Sequence, residues 1–118
     1  MGNLLSQSQF LQQISTSLGN YPQALGYESI TVDNTVKKFT IPSNANRALV
    51  VVASSVAAPA FSIRYREDGG APTASAGGGM PKGNTDAFEI TGAENLARFA
   101  VIQETAGTHY LNITYYSR

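Results

Sequence analysis

The spacing of apolar residues changes once along this chain, and that change restricts the fold more than any other feature of it. Up to Gly26 the apolar residues recur at helical intervals, whereas beyond it they alternate in short runs separated by turn residues. A period of two places successive side chains on opposite faces of a strand, so residues 27–118 are predicted to be all-β. Residues 28–32 and 36–41 flank Asp33-Asn34-Thr35, a turn suited to a hairpin. Ala48-Leu49-Val50-Val51-Val52 is a continuous, β-branched run that predicts a central strand buried on both faces. In residues 60–66, Phe61, Ile63 and Tyr65 point one way and Ser62, Arg64 and Arg66 the other, which predicts a half-buried strand with a basic outer face.

Residues 67–86 offer almost nothing to a core except Met80, and read as a long loop. Further strands are predicted over residues 87–91, 98–104 and 109–116, with a turn or single helical turn at 92–96. In the last strand, Leu111, Ile113 and Tyr115 face inward while Tyr110, Asn112, Thr114 and Tyr116 face outward. About seven short strands in a chain of 118 residues suit one core between two packed sheets, an antiparallel β-sandwich. Jelly-roll and immunoglobulin-like topologies both fit, the second less well because the Cys and Trp hallmarks of an immunoglobulin domain are absent.

Residues 1–26 form a separate N-terminal arm, helical or extended. No charged side chain occurs from Met1 to Tyr27. Leu4, Leu11 and Leu18 are seven apart, Ile14 takes the complementary heptad position, and Leu5 and Phe10 widen the same stripe. Gly19, Asn20 and Pro22 then stop a helix. So short an amphipathic segment, without ion pairs on its polar face, needs a partner surface to be stable.

Charged residues make up 14% of the chain, against about 25% in a typical soluble domain. A surface poor in Lys and Glu resembles the buried parts of protein interfaces, so assembly, including homo-oligomerisation, is expected. Eight basic and eight acidic residues cancel without clustering, which disfavours nucleic acid as a partner. No membrane span or signal peptide is expected from the sequence. Without cysteine and with one histidine, His109, read as a surface or hairpin residue, no metal site, cofactor or catalytic constellation is predicted, and an enzyme is not expected. Gly77-Gly78-Gly79 lacks the Lys-Ser or Lys-Thr pair of a phosphate loop and reads as a flexible tip. Tyr110 and Tyr116, on one face of the last strand, could stack on a sugar, although cross-strand packing is the commoner role.

The run Ile63-Arg64-Tyr65-Arg66-Glu67-Asp68-Gly69-Gly70-Ala71-Pro72-Thr73-Ala74-Ser75-Ala76-Gly77 resembles a segment of small β-sandwich virion proteins of tailed bacteriophages. Met80-Pro81-Lys82-Gly83, Ala97-Arg98-Phe99 and the final Leu111–Tyr116 stretch follow in the order of that pattern, so the likeness covers roughly the second half of the chain. It implies a capsid cement or decoration protein that stabilises the head by binding the major capsid protein or other virion subunits, in particles assembled in the bacterial host cytoplasm. A receptor- or glycan-binding module of a tail or fibre is the alternative. Candidate contact residues are Leu4, Leu5, Phe10, Leu11, Ile14 and Leu18 in the arm, and Arg64, Arg66, Asp68, Met80 and Lys82 in and around the loop.

Overall fold

The fold is an antiparallel β-sandwich, seen in a computed structural model that describes residues 23–117. Its strands are β1 (Ala24–Val32), β2 (Arg47–Ser54), β3 (Ile63–Arg66), β4 (Met80–Lys82), β5 (Ala87–Thr91), β6 (Ala100–Gln103) and β7 (His109–Tyr116). A short helix, α1 (Ala93–Arg98), follows β5 and buries Leu96. One sheet runs β1-β7-β2-β5 and the other β4-β3-β6. β1 begins at Ala24, so residues 24–26 pair with the end of β7 rather than belonging to the arm. The apolar arm residues Leu4, Leu5, Phe10, Leu11, Ile14 and Leu18 lie outside the described residues. No helix among the described residues is long and apolar enough to cross a membrane.

The turn at Asp33-Asn34-Thr35 forms, but it does not close a hairpin. Asp33 Oδ1 accepts hydrogen bonds from the Thr35 amide at 2.9 Å and the Thr35 hydroxyl at 2.6 Å, a local side-chain turn. The chain then changes sheets. The Asp33 carbonyl accepts from the Gln103 amide, and Lys37 exchanges backbone hydrogen bonds of 2.8 and 2.9 Å with Val101, so residues 33–37 run along the outer edge of β6. The half-buried, half-exposed alternation of residues 36–41 survives, with Phe39 and Ile41 turned to the core.

With the Lys37 bridge counted as a residual strand, eight strand positions result. The first then pairs with the last, the second with the second-last, the third with the third-last and the fourth with the fifth. That wrapped connectivity is a jelly roll, which decides between the two topologies the strand pattern left open.

Aromatic rings join the two sheets. Phe99 stacks on Phe39 with centroids 3.9 Å apart and lies 5.5 Å from Tyr65; Tyr65 stacks on Phe88 at 4.4 Å, and Tyr115 meets Phe39 edge-on at 5.6 Å. Tyr65 comes from β3, Phe88 and Tyr115 from the opposite sheet, and Phe99 from the link between α1 and β6. Offset stacks and edge contacts of this kind add to the burial of the rings themselves. Around them pack Val32, Val50, Ile63, Ile90, Leu111 and Ile113.

Three strand expectations change. β2 turns Ala48, Val50 and Val52 inward but leaves Val51 37% exposed, because among the described residues nothing packs on the far side of its sheet. The outer side of β3, expected to be a solvated basic face, is buried at Ser62 and Arg64, and Phe61 before it is exposed. The long loop contains β4, which pairs Met80, Pro81 and Lys82 with Tyr65, Arg64 and Ile63. A strand with a central proline is tolerated there because β4 is an edge.

Phe99→Ala removes the ring at the centre of the stack and should cost about 3–5 kcal/mol. Equilibrium denaturant unfolding of the variant against the parent checks this; a loss below about 1 kcal/mol would mean the stack does not hold the sheets together.

Candidate protein-interaction surfaces

The 67–79 connection between β3 and β4 is a pinned structure rather than a flexible tip. Gly78 O accepts from the Thr73 amide at 2.8 Å, and the Gly78 amide donates to Ser75 O at 2.9 Å. A Cβ on Gly78 would run into the Thr73 side chain and carbonyl, so only glycine allows the closure. At the loop's start, Arg66 Nε and Nη2 donate to Asp68 Oδ1 and Oδ2 at 3.0 and 2.6 Å, a two-point ion pair, while the Gly70 amide donates to Asp68 Oδ1 at 3.1 Å. The Arg66 guanidinium occupies the space a side chain on residue 70 would need.

Of the loop residues singled out from the sequence, Arg66, Asp68 and Met80 line one open cleft of about 600 Å³, with Tyr65, Glu67, Gly77 and Gly79 completing it. Met80 is 57% exposed there. Arg64 is not available as a contact. It is buried, donating from Nε and Nη2 to Glu104 Oε1 at 3.1 and 2.8 Å and from Nη1 to Gly79 O at 2.9 Å, so it fastens the loop to β6. Lys82 does not line the cleft; its ammonium lies 5.6 Å from the centre of the Phe88 ring.

A second surface was marked from the sequence only by the outward residues of the last strand, Tyr110 and Tyr116 among them. The outer face of the four-stranded sheet presents Tyr27, Ser29 and Thr31 on β1, then Tyr110, Asn112, Thr114 and Tyr116 on β7. It continues with Arg47, Leu49, Val51 and Ala53 on β2, and Ala87, Glu89 and Thr91 on β5. Only Arg47 and Glu89 among these carry charge. Tyr27 is 66% exposed and Tyr110 41%. Three polar groups of the face bond together: Tyr27 Oη and Ser29 Oγ each donate to Asn112 Oδ1 at 3.0 Å. The Arg47 guanidinium lies 4.9 Å from the Tyr116 ring centre, a cation–π contact. Groups already satisfied and side chains already held lose less on being covered.

Tyr110 and Tyr116 do share this face, as expected, but they do not make one platform. Six residues of strand separate them by about 20 Å, and Arg47 covers the Tyr116 ring.

His109 starts β7 and is fully buried, contrary to a surface role. Its Nε2 lies 2.6 Å from the Thr105 carbonyl, which can only accept, so Nε2 donates there, and Nδ1 is hydrogen-bonded to the Ser54 hydroxyl at 2.7 Å. Ser54 Oγ in turn accepts from the Val56 amide. Both ring nitrogens are spent on the scaffold, and the pair clamps the end of β2 to the loop before β7.

No protein-family model, curated protein or solved structure matches this chain.

The Arg66 hydrogen bonds, followed by that of the Gly70 amide, hold the Asp68 carboxyl down at about 2 from an ordinary 3.8. A depressed carboxyl supports the loop above its ordinary value and gives up that support as pH falls through about 2. NMR titration of the Asp68 carboxyl should therefore find its midpoint near 2, and Arg66→Met should return it toward 3.8. A parent midpoint near 3.8 would contradict the ion pair.

Proposed function

We propose that this chain is a non-enzymatic structural subunit that lays the outer face of its four-stranded sheet on a neighbouring protein subunit. The observation that carries this reading is that face: Tyr-containing, with two charges, and with two hydroxyls tied to Asn112. Interfaces favour such surfaces because tyrosine supplies large contact area with little conformational freedom to lose, and because charge is sparse at their centres. The assembly we propose is a bacteriophage particle, in which the chain acts as a capsid decoration or cement protein on the coat subunits. That step rests on the likeness of residues 63–116 to small virion proteins. Jelly rolls occur among viral capsid proteins and also among lectins, so the fold accommodates the proposal without carrying it. The arm, with its uncharged apolar stripe, is the second proposed contact.

Val51→Lys places a charge at the middle of the face, between Asn112 and Ala87 in register. It should leave the sandwich folded and lower occupancy on phage heads at least about tenfold, since a buried unpaired charge weakens an interface strongly. Ala76→Lys, on the exposed loop, should bind as the parent does. Full occupancy by Val51→Lys, measured by co-sedimentation with heads, would overturn the assignment of the face. Deleting residues 1–22, which stops short of β1, should release the protein from heads without lowering the melting temperature of the sandwich; full decoration by the truncated form would rule out the arm as anchor.

A further inference from the structure

A smaller cleft, of about 280 Å³, opens where β1 meets residues 40–42, at the mouth of the sandwich. Gly26, Glu28, Thr40, Ile41, Pro42 and Tyr115 line it, together with Tyr27, which also belongs to the outer sheet face. Two polar groups there stand out. Glu28 faces inward from an edge strand and forms no ion pair among the described residues; its Oε1 and Oε2 each accept from the Thr40 amide at 3.2 Å. Tyr115 is 1% exposed, and among the described residues its hydroxyl makes no well-formed hydrogen bond, although the Glu28 carboxylate lies close enough to act on it. A buried hydroxyl left without a partner is costly, and in native proteins it calls for an explanation. Burial, then the Glu28 charge and the hydroxyl's hydrogen bonding toward Glu28, push this phenol well above its ordinary range and keep it protonated, with its oxygen lone pairs left to accept.

We propose that this cleft binds a primary alkylammonium, the lysine side chain of a partner subunit, with Glu28 as its counter-charge and the Tyr115 hydroxyl as a second polar contact. The sign follows from the lone carboxylate. The shape of the cation follows from Thr40: its amide sits between the two Glu28 oxygens, on the side a guanidinium would need for a two-point pair. An ammonium is a compact donor with three N–H groups and can approach each remaining lone pair separately. Ile41 and Pro42 offer apolar walls for the methylene stem. The partner is read as a protein because Tyr27 joins the cleft to the proposed docking face. To that extent the inference rests on the docking proposal, but the cleft can be tested with the small cation alone.

The test is an amide-resolved NMR titration of the full chain with n-butylammonium chloride, against 1-butanol and against sodium chloride at matched ionic strength. Saturable shifts are expected at Glu28, Thr40, Ile41 and Tyr115 with n-butylammonium only. Glu28→Gln, whose side-chain oxygen can still accept from Thr40, should weaken the apparent affinity about tenfold, as loss of a charged hydrogen-bond partner does. Tyr115→Phe should weaken it less, and if that variant does not fold, Glu28→Gln alone decides. Absence of saturable shifts, equal shifts with 1-butanol, or unchanged binding by Glu28→Gln would each overturn the proposal. None of these outcomes bears on Val51→Lys, so a failed cleft and a failed docking face are told apart.

Discussion

The contact on which the rest of this structure depends is the stack of aromatic rings between the sheets. Phe39, Phe99, Tyr65 and Phe88 fill the space that a small sandwich would otherwise have to close with many aliphatic side chains. Each ring comes from a different part of the wrapped chain. The jelly-roll order therefore follows from packing as much as from strand pairing: residues 36–41 must cross to the second sheet for Phe39 to reach Phe99, and α1 must turn the chain for Phe99 to enter the core.

Because the core is completed between the sheets, the far side of the four-stranded sheet is not covered by any other of the described residues. A sheet face left to water is ordinarily studded with Lys and Glu. This one uses Asn112 to bind two neighbouring hydroxyls, lays Arg47 along a tyrosine ring, and leaves aliphatic side chains on β2 partly bare. The same economy of charge runs along β1, whose one acid, Glu28, turns into the mouth of the sandwich. Inward-pointing charge and the irregularity between Ala24 and Gly26 are both devices that discourage unwanted edge pairing, which agrees with the proposal that the face rather than the edge meets a partner.

Much of this fold is legible in the sequence because alternation reports directly on strands with one wet and one dry face. β7 is the clearest case, its inward Leu111, Ile113 and Tyr115 following from period two alone. Residues 36–41 show the limit of that signal. Their alternation is real, but periodicity reports which side chains are buried and not which strand the backbone meets, so a sheet crossing looks like a hairpin. β4 is hidden for another reason: three residues with a proline carry no pattern, and only pairing with β3 makes them a strand. Arg64 and His109 mislead because charged and titratable side chains are read as solvated until their partners, Glu104 and Gly79 for one, Ser54 and Thr105 for the other, are brought near by distant parts of the chain. The candidate surface was legible as a global shortage of charge and in the outward residues of β7; the contributions of β1, β2 and β5 to the same face needed the register of four strands.

Hydroxyl-radical footprinting of the tyrosine side chains, on the purified protein and on the same protein within intact phage particles, addresses the docking face most directly. Tyr27 and Tyr110 should react readily in the free protein and be protected in the particle, while buried Tyr115 stays unreactive in both. Equal reactivity of Tyr27 and Tyr110 in the two states would show that the outer face of the sheet remains open to water, and would contradict the account.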